Sequence, residues 1–304
     1  MRNFPCEDPQ IKEYLHKPLA KKRCLLYNNN KRRTKISNHR KDHMTMKIGV
    51  CTSPDKLPLL TELKYDYFEA CFSWLADLSE DDFRTQTALV EKYPLAGEVY
   101  NIFFRGGTQL YAPDGNQDPL LREVDAYAEK GFGRAAVWGG KIAVIGSGFV
   151  RGLRDDMARE ETDRQFARVL NVCGEAAARH GMKIVVEPLS RNECNYIHTM
   201  EEGAAAARAA DHPAVGVLAD FYHHAKNGDD LDALPQYADL LYHTHYARLC
   251  DRGVPQEEDR GQLLRLAALL KQCPKAERIS LECSWGADFD AAVRSAREIM
   301  EIFR

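Results

Sequence analysis

The chain has 304 residues, of which 44% are hydrophobic and 29% are charged. This composition is typical of a soluble globular protein rather than of a disordered or membrane protein. No apolar run reaches the roughly 20 residues that a membrane-spanning helix needs, so we expect no membrane contact. The nine cysteines form no CxxC pair. Their pattern argues against a disulfide framework or a cysteine zinc knuckle and predicts a cytoplasmic location.

The net charge of −3 is unevenly distributed along the chain. Residues 1–45 contain twelve Lys or Arg and four Asp or Glu. A basic arm can contact nucleic acid or an anionic surface, and Lys31-Arg32-Arg33-Thr34-Lys35 would be the centre of such a patch. The segment has little periodicity, however, and Met46 opens an apolar run. We predict a disordered or misassigned extension over 1–45, one catalytic domain over 46–304, and no nucleic-acid partner.

From Met46 onward, short apolar runs alternate with segments of helical periodicity. The predicted strands cover residues 48–51, 65–69, 98–104, 141–145, 183–187, 215–220, 240–245 and 278–282. The predicted helices cover residues 55–63, 79–92, 119–130, 157–180, 199–210, 229–236, 261–272 and 287–302. Gly131 is the predicted stop of the third helix. Eight alternating pairs predict an α/β fold, a (β/α)8 TIM barrel, rather than a doubly wound open sheet.

One strand ends in a carboxylate that calls for an explanation. Lys183-Ile184-Val185-Val186 is typical of a buried strand, Glu187 follows it directly, and Pro188 cannot continue the ladder. A buried carboxylate is costly unless a cation or a proton-transfer role compensates. Taken singly, such residues have ordinary explanations as solvated acids, helix N-caps or core histidines. Three further strands nevertheless end in groups of the same kind: Asp220, His245 and Glu282.

These strand ends meet on one face of a barrel, so the four side chains are predicted to hold a metal. Three carboxylates and one imidazole suit Mn²⁺, Mg²⁺ or Co²⁺ better than a thiolate-bound zinc. The motifs that contain these four residues are Glu187-Pro188-Leu189 with Glu193, Asp220-Phe221-Tyr222-His223, His243-Thr244-His245 and Leu281-Glu282. Two further motifs are Asn101-Ile102-Phe103-Phe104 and Gly146-Ser147-Gly148 with Arg151. They resemble the sugar isomerase/epimerase superfamily with its xylose-isomerase-like barrel, over roughly residues 46–304. Within it they most resemble the ketose 3-epimerases, such as the D-tagatose and D-psicose 3-epimerases.

The resemblance implies roles for individual residues. One divalent ion, Mn²⁺ first, is bound by Glu187, Asp220, His245 and Glu282, and the two glutamates are the catalytic acid and base. Glu193, His223 and an arginine after strand seven bind a small sugar. Arg252 is the first candidate, but its spacing from His245 is one residue longer than the family usually shows, so Arg248 stays an alternative. The resemblance also allows a homo-oligomer.

The chemistry of these residues fits a sugar epimerase or isomerase. Removing a proton beside a carbonyl gives an enediolate, whose charge a divalent cation stabilises. Two carboxylates on opposite faces of the carbon then serve as base and acid. The alternative is a lyase on the same scaffold that acts on an oxidised sugar derivative, for example by C-glycoside cleavage. A DNA-repair endonuclease has less support, because the barrel is acidic.

Three lesser expectations concern neighbouring residues. Phe72, Trp74, Trp138 and Trp285 form either an apolar wall beside the sugar or ordinary core packing. Gly146-Ser147-Gly148 is too short for a dinucleotide loop, and we interpret it as a turn rather than a phosphate cradle. His224 is expected to be a solvated loop residue.

Overall fold

The computed structural model describes residues 45–304. Its eight strands are parallel to their neighbours and close into a barrel in sequence order. The predicted (β/α)8 TIM barrel is therefore confirmed. Apart from Thr45, the proposed basic extension lies outside the described residues, and that prediction stands as it was made. Within residues 45–304, every helix is too short or too polar to cross a membrane.

The strands are short and buried. They are β1 (Lys47–Cys51), β2 (Tyr67–Cys71), β3 (Ala96–Asn101), β4 (Ile142–Ile145), β5 (Lys183–Val186), β6 (Val215–Asp220), β7 (Leu241–Tyr246) and β8 (Arg278–Leu281). The last strand pairs with the first, with Ile48 opposite Ile279, and so closes the barrel. Alternation along a strand sends one residue toward the helices and the next into the barrel, where an apolar layer contains Val144, Val185 and Leu218.

Helices cover the outside of the barrel and connect the strands. They are α1 (Leu57–Glu62), α2 (Phe72–Asp77), α3 (Glu80–Val90), α4 (Asp118–Val137), α5 (Gly148–Arg151), α6 (Arg159–Arg179), α7 (Met200–Ala209), α8 (Phe221–Lys226), α9 (Arg260–Leu270) and α10 (Phe289–Met300). Several have side-chain caps. Thr199 and Glu202 form a reciprocal capping box at the start of α7, which satisfies two backbone N–H groups that the helix leaves free.

The structure corrects four boundaries. Gly131 does not end a helix: α4 runs to Val137, and the glycine lets the Phe72 ring pack closely, since a Cβ there would lie 2.3 Å from Phe72 Cζ. β3 ends at Asn101 rather than at 104. The helix predicted over 229–236 is a 3-10 helix, Leu231–Tyr237. β2 continues to Cys71, so Glu69 lies inside the strand instead of ending it.

An ion network closes the N-terminal end of the barrel. Glu98 of β3 accepts hydrogen bonds from Lys47 Nζ at 2.5 Å and from Arg278 Nε at 2.5 Å. The two cations are the first residues of β1 and β8. Three strands are thereby joined at the end opposite the strand C-termini.

Candidate functional site

The C-terminal ends of four consecutive strands bring together the side chains of Glu187, Asp220, His245 and Glu282. One ligand atom from each lies within 4.8 Å of the others. From His245 Nδ1, the distances are 3.3 Å to Glu187 Oε1, 3.8 Å to Asp220 Oδ2 and 3.6 Å to Glu282 Oε2. The structure therefore gathers into one cluster the four residues that the sequence pattern selected.

The cluster has the dimensions of a single-ion site. Oxygen ligands lie about 2.0–2.6 Å from Mg²⁺ or Ca²⁺, so two ligands of one such ion are at most about 5 Å apart. The observed 4.8 Å limit meets this condition. The donor set, three carboxylates and one imidazole, is also one that a hard or borderline divalent cation accepts. The residues present fit a divalent metal ion.

The pKa shifts in the cluster have a common cause. Burial raises the pKa of Glu282 to about 8, and the charges of Glu187 and Asp220 add to this effect although His245 opposes it. Burial lowers the pKa of His245, but the surrounding carboxylates of Glu69, Glu282 and Glu187 outweigh burial and raise it well above its ordinary value. Both groups respond to an excess of negative charge in a buried pocket. A divalent cation would neutralise that excess.

The two carboxylate oxygens of Asp220 have different partners, one in a helix cap and one in the cluster. It is the N-cap of α8, and its Oδ1 accepts a hydrogen bond from His223 N at 3.1 Å. Its Oδ2 faces His245. The helix-cap interpretation and the ligand interpretation are therefore compatible, because the carboxylate has an oxygen for each.

Glu187 is held from two sides. Arg151 of α5 is fully buried, and its Nη2 donates to the main-chain oxygen of Glu187 at 2.6 Å. Gly146 leaves room for the carboxylate, since a Cβ at that position would lie 2.3 Å from Glu187 Oε2. Gly148 similarly packs against the main-chain oxygen of Glu193, which a Cβ would approach to 2.7 Å. The Gly-Ser-Gly stretch thus shapes the site wall by being small.

Arg252, and not Arg248, reaches the cluster. Arg252 Nη1 donates to Glu193 Oε1 at 2.8 Å and Nη2 donates to Glu282 Oε2 at 3.2 Å. Its guanidinium lies over the Tyr222 ring, 5.0 Å from the centroid. Arg248 instead pairs with Asp251 in the same loop. The backbone at Arg252 is left-handed, with a φ of 56°.

His223 presents a hydrogen-bond donor at the edge of the cluster. Its Nδ1 accepts from Ser190 N at 3.2 Å, so in the neutral ring the proton is on Nε2. That Nε2 lies 3.7 Å from Glu193 Oε2 and 4.0 Å from Asp220 Oδ2. An N–H group in this position suits a sugar oxygen.

Two residues at the site were not selected from the sequence. Glu69 of β2 is buried and accepts hydrogen bonds from His245 Nε2 at 2.9 Å and from His243 Nε2 at 3.1 Å. Asn101 Nδ2 donates to Glu282 Oε1 at 3.3 Å. The available signal for Glu69 was its position between apolar residues of a buried strand, where an acid needs a partner.

One expectation around the site is wrong, and the two alternatives for the aromatic residues are decided for Phe72 and Trp138. His224 is not a solvated loop residue, because it is buried on α8 with its Nε2 3.7 Å from Asp229 Oδ2. Phe72 stacks on Phe103 with centroids 4.2 Å apart, which places it in the core. Trp138 donates Nε1 to Thr87 on the helical layer at 2.9 Å. These two rings therefore pack in the core rather than form a wall beside a sugar.

Comparison with known proteins agrees with this architecture. Residues 57–299 match the family described as "Xylose isomerase-like TIM barrel". The chain belongs to this family. The family predicted from the strand-end motifs is thereby confirmed.

Individual relatives are more distant. A stretch of 79 residues is 35% identical to the 3-dehydro-D-guloside 4-epimerase of Escherichia coli (strain K12), and the match spans 26% of this chain and 30% of that enzyme. The crystal structure of the E. coli 3-keto-D-glucoside 4-epimerase has a TM-score of 0.65 at 21% identity, covering 85% of this chain and 99% of that chain. D-psicose 3-epimerase from Clostridium cellulolyticum H10, solved with D-tagatose, has a TM-score of 0.71 at 17% identity, covering 85% and 98%. At these identities the structures establish a shared fold.

Proposed function

We propose that the protein is a divalent-metal-dependent epimerase of keto sugars. The observation that carries the proposal is the pair of carboxylates, buried Glu187 and partly buried Glu282, in one cluster with Asp220 and His245. The pair comes from β5 and β8, which lie three strands apart around the closed barrel. A small substrate between these strand ends therefore meets a carboxylate from each side. This is the arrangement that inverting a carbon centre requires.

In this proposal, the proton beside the substrate carbonyl moves to one of the two carboxylates. The other group, which begins the cycle as a carboxylic acid, donates its proton to the opposite face of the planar enediolate, which inverts the configuration, and proton exchange with water then restores both groups. A divalent ion held by Glu187, Asp220, His245 and Glu282 would polarise the substrate carbonyl and stabilise the negative charge that develops on its oxygen. Proton transfer to and from positioned carboxylates contributes about 10²–10⁴-fold to rates of this kind.

Three further residues bind and orient the sugar. The Arg252 guanidinium bridges Glu193 and Glu282, so it is placed to donate to a hydroxyl beside the reacting carbon. Glu193 offers an acceptor and His223 Nε2 a donor on the same side of the cluster. Because these charges are preorganised by their mutual contacts, binding needs little rearrangement of them.

The substrate class rests on the relatives. The 4-epimerases carry the words 3-dehydro-D-guloside and 3-keto-D-glucoside in their names, and the 3-epimerase was solved with a ketose. All three descriptions denote sugars with a ketone beside a C–H bond. We therefore propose keto sugars, either free ketoses or 3-keto glycosides, as the substrate class, and Mn²⁺ as the metal, with Mg²⁺ or Co²⁺ as alternatives.

The decisive experiment is proton exchange in deuterated water. The Mn²⁺-loaded protein is incubated with D-fructose, D-psicose, D-tagatose and a 3-keto glucoside, and NMR follows deuterium at the carbons beside the ketone. We expect deuterium in one substrate together with its epimer. Release of the aglycone in place of an epimer would favour the lyase. No exchange on any keto sugar by a metal-loaded, folded protein would refute the proposal.

A further inference from the structure

Glu69 lies inside the barrel, across from the strand that carries the histidine of the cluster. β2 and β7 are not neighbours, because β1 and β8 lie between them in the closed sheet. The contacts of Glu69 therefore cross the barrel interior instead of following a strand pair. Barrel interiors are filled mainly by branched apolar side chains. A carboxylate that is 1% exposed in this position needs a specific reason.

Both oxygens of Glu69 are bound to imidazoles. His245 Nε2 donates to Oε1 at 2.9 Å and His243 Nε2 donates to Oε2 at 3.1 Å. The two rings are nearly perpendicular, with an interplanar angle of 89°, which lets both Nε2 atoms point at one carboxylate. Ser280 Oγ lies 3.3 Å from His243 Nε2 and 2.8 Å from the Tyr67 hydroxyl, so His243 is itself held in place.

This arrangement fixes the orientation of His245. With Nε2 donating to Glu69, the ring turns Nδ1 toward Glu187, Glu282 and Asp220. Only an unprotonated ring nitrogen can bind a metal, and the hydrogen bond at the other nitrogen decides which one that is. A carboxylate behind a ligating histidine also makes the imidazole a better electron donor.

We propose that Glu69 is a positioning residue that keeps the proton of His245 on Nε2 and presents Nδ1 as the metal ligand, with His243 holding the carboxylate in place. The inference rests on the metal centre proposed above. It gives β2 a role at a metal centre whose four proposed ligands lie at the ends of β5 to β8.

Metal binding by matched variants tests the role. Glu69→Gln keeps the size of the side chain and removes its charge, while Glu98→Gln makes the same change in a buried strand glutamate at the other end of the barrel. Mn²⁺ binding is measured by electron paramagnetic resonance of the free ion. We expect one ion per chain, an affinity about 10–100-fold lower in Glu69→Gln, and an unchanged affinity in Glu98→Gln.

A measurement on the unaltered protein supports the test if a variant folds poorly. With Zn²⁺ bound, long-range ¹H–¹⁵N spectra of labelled histidine should show His245 protonated on Nε2 and coordinated through Nδ1. The opposite tautomer would overturn the proposal, as would wild-type affinity in a folded Glu69→Gln protein.

Two other outcomes have distinct meanings. The atoms of Cys51, Glu69 and His245 also lie close enough to share an ion. Two Mn²⁺ ions per chain, with one lost in Cys51→Ser, would overturn the positioning role by making Glu69 a ligand. An unaltered protein that binds no Mn²⁺ would instead remove the metal centre of the proposed function, and the inference with it.

Discussion

The carboxylates at the two ends of the barrel have opposite electrostatic surroundings. At the N-terminal end, Glu98 is matched by two cations, Lys47 and Arg278. At the C-terminal end, the carboxylates of Glu187, Asp220 and Glu282 cluster at His245 Nδ1, and Arg252 pairs with Glu282. In the first arrangement, cations of the protein itself compensate the negative charge. The second carries excess negative charge, which the proposed divalent cation would neutralise.

The pKa values show the same contrast for one residue type. Burial raises the pKa of Glu98, but hydrogen bonds and charges from Lys47 and Arg278 outweigh burial and lower it. Burial and the neighbouring carboxylates raise the pKa of Glu282 to about 8. A charged group that pairs with opposite charge stabilises the fold, whereas a surplus of like charge at a buried site indicates a functional demand.

The largest expected effect comes from removing a carboxylate of the proposed acid/base pair. Glu187→Gln or Glu282→Gln should slow solvent-deuterium incorporation into the keto sugar by about 10²–10⁴-fold. Glu98→Gln is the matched control and should leave exchange intact. Full exchange in either site variant would contradict the acid/base assignment.

Adding one methyl group beside Glu187 should also lower the activity of the site at the C-terminal end of the barrel. In Gly146→Ala, the new methyl group would displace the Glu187 carboxylate, which lies 2.3 Å from the Cβ position. A displacement on the order of 1 Å costs about 10²-fold in rate, measured as kcat with the sugar identified by exchange. Gly106→Ala is the control, because its Cβ would meet nothing within 4 Å. Equal activity of the two variants would show that Gly146 has no role in shaping the site.

Adding the proposed divalent cation should stabilise the fold. At a concentration of about 100 times its Kd, Mn²⁺ should raise the free energy of unfolding by about 2.7 kcal/mol. For a domain of this size, that increase corresponds to a rise of roughly 5–10 °C in the unfolding temperature. Thermal unfolding with MnCl₂ and with a chelator measures it. The shift should be strongly reduced in Glu187→Gln, and an equal shift in that variant would place the ion elsewhere.

Replacing the two arginines of the loop after β7, Arg248 and Arg252, should have different effects on KM. Arg252→Ala should raise KM about tenfold, since it removes one charge-assisted contact worth about 1.5 kcal/mol. Arg248→Ala should leave KM near the wild-type value, because Arg248 pairs with Asp251. The reverse order of effects in steady-state kinetics would restore Arg248 as the substrate-binding residue.

The smallest expected effect is on stability at the N-terminal end. Glu98→Gln should lower the free energy of unfolding by about 1 kcal/mol near neutral pH. Because the folded chain lowers the pKa of Glu98, its contribution is present above the unfolded-state pKa of about 4.3 and is lost as the pH falls through the folded value. Urea unfolding of both proteins should therefore show a difference that shrinks below about pH 4. A difference that grows there would contradict the sign of the shift.

The sequence by itself determined the fold and the composition of the cluster. Eight apolar runs alternating with helical segments define the barrel, and strand C-termini of a barrel meet on one face whatever the details of the loops. For this reason Glu187, Asp220, His245 and Glu282 could be selected without any distance. What selected them was the recurrence of such groups at the ends of four consecutive predicted strands.

Only the tertiary structure decided the contacts that cross the barrel. Glu69 and His243 are 174 positions apart in the chain and sit on non-adjacent strands, so no spacing rule connects them. Which of Arg252 and Arg248 reaches the cluster is seen only in their contacts, with Glu282 for the first and with Asp251 for the second. The role of Gly131 depended on a ring from another helix. Local patterns define elements and their ends, whereas packing across the barrel sets which side chains meet.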